Sequence, residues 1–189
     1  MMKIKKKVLL VSLVLLTITT VATVNASSVN GYIGGKVNYG NFKPKKGSMY
    51  HPVGVGLGGG VKYDIIDEVF IGGEGYVNHA LNQPKKKGVK LKYGLTYEVN
   101  ALAGINVTKD FNIYALVGGI GSKPTIAGEK FKNNISLQYG GGIGFNVTDG
   151  VGLKLQYTLS NPNYKYKVAN NNKLKAKNNT INLALNYNF

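Results

Sequence analysis

The sequence predicts an all-β fold: an eight-stranded antiparallel barrel that meanders up and down through a membrane. Three observations favour this class. Apolar and polar residues alternate with a period of two along most of the chain after residue 28, as in strands whose two faces meet different surroundings. Short and long connections alternate, and the clearest apolar faces carry no charge. Transmembrane barrels combine these features, whereas a soluble sandwich has no reason to sort its loops by length.

The first 26 residues predict a signal peptide that is removed after export. Four lysines among the first seven residues precede a long apolar run, and Val24 and Ala26 occupy the small-residue positions of a cleavage site. Cleavage after Ala26 leaves residues 27–189, a length that suits one barrel domain. An uncleaved membrane anchor is the less favoured alternative.

The composition excludes several kinds of site. The chain has no cysteine, so an exported domain has no disulfide framework, no thiolate metal site and no catalytic thiol. All 24 basic residues are lysine, against 8 acidic residues, and the formal net charge is +16. No metal or other cofactor is expected.

The first four strands follow from four alternating segments. Segment 31–40, GYIGGKVNYG, alternates isoleucine, valine and tyrosine with lysine and asparagine, and segment 53–65, VGVGLGGGVKYDI, alternates apolar residues with glycine. Segments 69–81 and 90–105 are the third and fourth strands, although the phase of the third is left open. The apolar face of the fourth strand is Leu91, Tyr93, Leu95, Tyr97, Val99, Ala101 and Ala103.

The last four strands are predicted at 111–121, 134–146, 151–160 and 180–189. Segment 111–121, FNIYALVGGIG, leaves its phase open, whereas the final segment, TINLALNYNF, alternates without interruption. An even number of strands allows the last strand to pair with the first, which removes both sheet edges. The apolar face of the final strand is Ile181, Leu183, Leu185, Tyr187 and Phe189.

The connections differ in length between the two ends of the barrel. Outer-membrane barrels have short periplasmic turns and longer extracellular loops, so the long loops, which are rich in Lys, Asn, Pro and Gly, are assigned to the cell exterior. Tyrosines near the strand ends fit the aromatic girdles of membrane interfaces. The predicted turns are about 64–68, 106–110 and 147–150, and the predicted loops are about 41–52, 82–89, 122–133 and 161–178.

The same alternation directs charged residues into the barrel. An eight-stranded barrel is just wide enough for its own side chains, and an unpaired charge there is unfavourable. We therefore expect a buried ion network, surrounded by asparagine and glutamine. A carboxylate pair for acid–base catalysis, Glu74 with Glu98, is the less favoured alternative. The predicted network consists of Lys36, Lys62, Glu74, Glu98 and Lys154.

Lysines dominate the long loops and their borders, where Glu129 is the one acidic residue. Such a surface attracts anions, including lipopolysaccharide, capsule and host glycans; nucleic acid is a less favoured partner. The alternative is a solvated surface without a specific partner. The predicted basic loop residues are Lys43, Lys45, Lys46, Lys85, Lys86, Lys87, Lys173, Lys175 and Lys177.

Three stretches resemble a known family. GYIGGKVNYG with the long polar loop after it, FNIYALVGGIG, and the terminal aromatic residue are similar to eight-stranded outer-membrane barrels of the OmpA/OmpX type. The resemblance covers essentially all of the chain after the signal peptide and implies the outer membrane of a Gram-negative-type bacterium. It also implies that the last strand, with Tyr187 and Phe189, is the signal recognised by the barrel-assembly machinery.

Some barrels of this kind modify lipid A with a surface histidine and serine. His51 and His79 are the only histidines, and neither has a convincing serine partner, so no catalytic residue is assigned. We expect a monomeric, non-enzymatic barrel with a structural and surface-interaction role: membrane integrity, contact with lipopolysaccharide or other anionic surface molecules, and adhesion. The first alternative is a narrow porin-like channel for small solutes, and the second is a lipid A-modifying enzyme.

Overall fold

The computed structural model describes the chain from Val29 to Phe189 with five short gaps. The predicted signal peptide lies outside the described residues. Within them, no helix is long and apolar enough to cross a bilayer. The described ranges are 29–45, 47–86, 88–126, 129–131, 134–165 and 173–189.

The described residues form strands and the connections between them. The prediction of an all-β fold is confirmed. The strands are β1 (Val29–Pro44), β2 (Val53–Ile66), β3 (Val69–Ala80), β4 (Lys85–Lys86), β5 (Val89–Tyr93), β6 (Thr96–Asn106), β7 (Phe111–Ser122), β8 (Pro124–Ile126), β9 (Glu129–Lys130), β10 (Asn134–Thr148), β11 (Val151–Ser160), β12 (Asn163–Lys165) and β13 (Lys173–Asn188).

Eight of these strands close into an antiparallel barrel. Their order is β1-β2-β3-β6-β7-β10-β11-β13, and β13 returns to pair with β1. The closing register runs from Tyr32 opposite Asn188 to Pro44 opposite Ala176. Each strand therefore has two hydrogen-bonded neighbours, the arrangement by which a sheet satisfies its backbone in a bilayer.

The outer wall of the barrel is apolar. Leu57 and Ile135 are each 75% exposed, and Leu183 is 55% exposed. Exposure of so many large apolar side chains around one barrel is expected for contact with lipid. On β13, Asn182 and Asn186 point the other way and are buried, as the alternation predicts.

The structure defines the phases of the third and fifth barrel strands, β3 and β7. On β3, Glu74 is buried while Ile71 is exposed. On β7, Tyr114 is buried while Ile113 is exposed. Even-numbered positions therefore face the lumen on both strands.

The fourth barrel strand begins later than predicted. The segment predicted as 90–105 is divided into β5 and β6. Leu91 is fully buried rather than lipid-facing, and Tyr93 packs against the same cluster, because β5 pairs with β4 and β8 in a small separate sheet. This sheet lies at the end of the barrel that carries the long loops, which we call the extracellular end after the sequence-based prediction; the opposite end is called periplasmic. Its apolar alternation matches a buried extracellular cluster, a pattern that sequence alone does not separate from a lipid-facing strand.

The closing seam extends to Phe189. Gly31 donates to the Phe189 carbonyl at 3.0 Å, and Phe189 donates to the Gly31 carbonyl at 2.9 Å. The ring of Phe189 lies against Gly31 and is 64% exposed. Phe189 thus lies on the outer wall at the end of the barrel with the short turns. The periplasmic location of this end and the role of Phe189 as an assembly signal stay predictions.

We expect Phe189→Asp to lower the amount of folded protein in the outer membrane several-fold while export to the periplasm continues. An aspartate at the lipid-facing rim is unfavourable and removes the aromatic contact with Gly31. Heat-modifiable migration of the outer-membrane fraction on gels measures the folded protein. Phe189→Tyr, which keeps an aromatic ring, is the matched control. A normal folded yield for Phe189→Asp would contradict the assembly role.

Candidate functional site

Glu74 on β3 is the centre of one hydrogen-bond cluster in the lumen. Its carboxylate accepts from the Tyr32 hydroxyl at 2.9 Å and from the Gln156 amide at 2.8 Å. Asn100 donates a third bond at 3.2 Å. The Lys154 ammonium lies 3.7 Å from the Glu74 carboxylate and 3.5 Å from the centre of the Tyr32 ring. Side chains from β1, β6 and β11 therefore converge on one buried carboxylate.

Glu98 on β6 is the centre of a second cluster. Lys36 Nζ lies 2.7 Å from Glu98 Oε2, and their side chains are 0% and 10% exposed. Asn78 donates to the other carboxylate oxygen at 2.8 Å. The Lys36 ammonium also lies 4.2 Å from the centre of the Tyr76 ring. Direct pairing with additional hydrogen bonds is the arrangement that offsets the desolvation of two buried charges.

Amide side chains extend both clusters. Gln138 donates to Asn100 at 2.6 Å, and Asn38 donates to Asn78 at 3.4 Å. Both acceptors in turn donate to the buried carboxylates. This degree of satisfaction favours a structural network over a pair of catalytic carboxylates, since each oxygen is already committed to protein donors.

Lys62 belongs to a different group of residues. Its ammonium lies 3.2 Å from Asp64 and donates to Asn106 at 3.0 Å. The Lys62 and Asp64 side chains are 25% and 22% exposed, and both line a cavity of about 420 Å³ at the periplasmic end of the barrel. Lys62 therefore pairs with a carboxylate two residues away rather than with the predicted glutamate network.

The long loops pack together at the extracellular mouth. The small sheet β4-β5-β8-β9 lies on this side, and aromatic rings fill the space between it and the barrel; those of Phe42 and Tyr93 meet edge to face at 5.6 Å. We call this cluster the cap. Its buried residues are Phe42, Tyr50, Leu91, Phe131, Tyr164 and Ala176.

The cap is anchored to the lumen wall. The Tyr164 hydroxyl lies 2.7 Å from Ser122 Oγ at the end of β7. Burial raises the pKa of Tyr164 above its usual value, so its hydroxyl stays neutral. A cavity of about 60 Å³ lies between Tyr93 and Tyr164 of the loops and Asn78 and Glu98 of the lumen. This cavity therefore lies where the cap meets the ion network.

The basic side chains of the extracellular face are exposed where the structure describes them. Lys46 and Lys87 lie outside the described residues, and Lys173 is described only as part of β13. Among the described residues, all three ion pairs lie in the lumen or at its periplasmic end. The exposed extracellular lysines are Lys43, Lys45, Lys85, Lys86, Lys90, Lys92, Lys123, Lys165, Lys175 and Lys177.

The two histidines occupy different surroundings. His51 Nδ1 lies 2.7 Å from Asn41 Oδ1 and 3.0 Å from the Tyr39 hydroxyl, and its ring stacks on that of Tyr39. His79 is exposed on the outer wall. Within the described ranges, no group of three or more His, Asp or Glu side chains could hold a metal ion.

The cap is not among the features predicted from the sequence. A signal was available, because each long loop or its border carries at least one large aromatic residue among its lysines and asparagines. Taken alone, each of these aromatic residues is equally consistent with a girdle residue at the membrane interface or with an exposed residue of a loop. Their association depends on contacts between loops that are far apart in sequence.

The geometry agrees with comparisons to known proteins. The family model described as outer membrane protein beta-barrel domain matches residues 10–189. A comparison with curated proteins gave no match.

Several solved structures share the fold. The crystal structure of Ail, the attachment invasion locus protein of Yersinia pestis, has a TM-score of 0.60 at 18% identity, covering 87% of this chain and 100% of Ail. Ail in complex with the heparin analogue sucrose octasulfate also has a TM-score of 0.60 at 18% identity, covering 86% of this chain and 99% of Ail. Neisserial surface protein A has a TM-score of 0.55 at 15% identity, covering 84% and 97%. At these identities the likeness concerns the fold.

We expect Lys36→Met to destabilise the barrel by roughly 3–5 kcal/mol, because it leaves Glu98 buried without its cation. The double variant Lys36→Met/Glu98→Gln should recover part of this loss. Lys62→Met is the control and should cost about 1 kcal/mol or less, since its ion pair is partly exposed. Urea titration of the folded barrel in lipid or detergent measures these differences. Equal effects of Lys36→Met and Lys62→Met would contradict a buried network.

Proposed function

We propose that this chain, which belongs to the outer membrane protein beta-barrel family, is a non-enzymatic surface barrel that binds anionic molecules through its lysine-rich extracellular face. Membership of the family places the protein in the outer membrane. Structural support of the membrane, adhesion and contact with lipopolysaccharide, capsule or host glycans are the roles that follow from such a face. The protein acts as a monomer after insertion by the barrel-assembly machinery.

The observation that carries this proposal is the sorting of charge between the two ends of the barrel. The ten exposed lysines of the extracellular side have no ion-pair partner among the described side chains. The short turns and their borders hold Asp64, Asp67, Glu68, Asp110 and Asp149. A surface potential of one sign concentrates counter-charged partners and accelerates their association.

A neighbour with the same fold supports the choice of ligand. Ail forms a complex with the heparin analogue sucrose octasulfate. A polysulfated sugar is a compact polyanion, and the unpaired lysines of this chain match its charge. The inference for this chain rests on those lysines, because the identity to Ail is 18%.

The lumen favours a surface role over a channel. The ion clusters around Glu74 and Glu98 occupy its middle, and the cap packs over its extracellular mouth. Eight-stranded barrels are filled by side chains, whereas aqueous porins have about 16 strands or more. A solute path would require both the cap and the network to rearrange.

We expect the folded protein in detergent to bind heparin at low salt and to release most of it in a few hundred millimolar NaCl. Surface attractions are screened over about 8 Å at physiological ionic strength. Lys85→Gln/Lys86→Gln/Lys90→Gln should elute from heparin resin at clearly lower salt. Lys109→Gln, an exposed lysine at the periplasmic turn, is the control. Retention that is insensitive to salt and to the triple change would mean that these lysines are only solvated.

We also expect no large, stable conductance from the purified protein in a planar bilayer. Side chains of the cap and of the buried ion network occupy the described lumen, and the cavity where they meet has a volume of about 60 Å³. A variant with Phe42→Ser and Tyr164→Ser tests the role of the cap and should admit at most brief, small openings. Large open channels of the unmodified protein would favour the porin-like alternative.

A further inference from the structure

The outer face of the β1–β13 seam carries a compact block of lysines. Lys43 is the last residue but one of β1 on the extracellular side and Lys45 follows the strand, while β13 carries the other two. All four are exposed, whereas Pro44 and Ala176 between them are buried. We call the four side chains the seam lysines: Lys43, Lys45, Lys175 and Lys177.

The seam lysines face one another in like-charged pairs. Lys43 lies directly opposite Lys177 in the register. The Lys45 amide donates to the Lys175 carbonyl at 2.8 Å, which brings the next two lysines together. Like charges directly opposite on one face of a sheet are destabilising. Two consecutive pairs of this kind have no ion pair with a described side chain to compensate them.

The block faces the membrane rather than the top of the barrel. Odd-numbered positions on β1 point outward, so Lys43 continues the same face as Val37 and Tyr39. Tyr39 is paired with Ile181 on the lipid-facing wall. Lys43 lies four residues beyond Tyr39, which is about 10 Å further along the membrane normal for a tilted strand. With Tyr39 taken as an aromatic girdle residue at the hydrocarbon boundary, this height corresponds to the polar headgroups of the outer leaflet.

A groove lies at the same position. It has a volume of about 590 Å³. Its lining consists of the four seam lysines, the polar residues Asn161 and Asn163, and the apolar residues Pro44, Pro162 and Ala176. The lysines form an array of about 5 Å by 7 Å, from the spacing of opposite and alternate residues in a sheet. Such an array offers several ammonium groups to one phosphorylated headgroup, and the asparagines add hydrogen-bonding groups.

We propose that the seam lysines bind the phosphate groups of glycolipid in the surrounding outer leaflet. This inference rests on the proposed function and assigns one part of the basic face to one partner. The exposed lysines of the small extracellular sheet bind soluble polyanions instead. These lysines lie on β4 and β5: Lys85, Lys86, Lys90 and Lys92. A site on the side of the barrel at the height of the headgroups contacts membrane lipid before it contacts a soluble ligand. Phosphate bound there removes the repulsion between the paired lysines.

The test measures thermal unfolding of the folded protein in neutral detergent micelles, with and without bis-phosphorylated lipid A. We expect lipid A to raise the Tm of the unchanged protein, and dephosphorylated lipid A to raise it much less. In K43Q/K45Q/K175Q/K177Q the rise should disappear and the apparent affinity should fall roughly tenfold or more. Without lipid A, this variant should unfold at an equal or higher temperature, because the like-charged pairs are gone.

Two further variants keep the result decisive. K43R/K45R/K175R/K177R preserves the charge and should keep the rise, while K85Q/K86Q/K90Q/K92Q should keep the rise but lose heparin retention. A rise that persists in the glutamine variant of the seam, or an equal rise with dephosphorylated lipid A, overturns the proposal. An equal rise with heparin acting through the seam lysines also overturns it and identifies a general polyanion site. Loss of heparin retention alone tests the proposed function separately.

Discussion

The pairing of β1 with β13 closes the sheet, and this closure determines what both faces of the barrel can carry. A strand in a bilayer has no water to satisfy its backbone, so the sheet must close on itself. The long register from Tyr32–Asn188 to Pro44–Ala176 achieves this closure. With eight strands, closure also fixes a narrow interior. The character of the lumen follows from that width, because every inward side chain must fit beside its neighbours and each inward charge must find a partner there.

Charge inside such a lumen is tolerable only where it is paired. Lys36 with Glu98 and Lys154 with Glu74 meet this requirement, and hydrogen bonds from surrounding amides complete it. Close approach of strands demands small residues between these groups. A Cβ at Gly118 would collide with the Val99 carbonyl oxygen. Buried ion clusters and glycines therefore occur together in this barrel. The large polar side chains fill the lumen beside inward positions at which glycine has no side chain.

The sequence predicts those parts of the structure that depend on period-two alternation. It separates lipid-facing Leu183 from lumen-facing Asn182 and identifies the inward charges, since both follow from which face a residue occupies. It does not identify the partner of Lys62, because pairing depends on strand register and on the nearby Asp64. It also assigns Leu91 to the lipid face, since a buried loop strand alternates in the same way as a membrane strand. The cap forms through contacts between four loops that are far apart in sequence, so no local sequence pattern predicts it.

Because the lumen is filled and the cap is packed, we expect ligands to bind to the outside of the barrel. The two basic surfaces there differ in geometry. Lysines on the extracellular sheet can spread into water, where repulsion between them is weakened by distance and salt. The pairs at the seam are held by the register of the closing strands, so Lys43 cannot move far from Lys177 without breaking the pairing of β1 with β13. Closure thus holds two like-charged pairs together at the height that we propose for the headgroup layer. An anion that bridges these lysines would stabilise the same seam on which the barrel depends, and so couple lipid contact to the integrity of the fold.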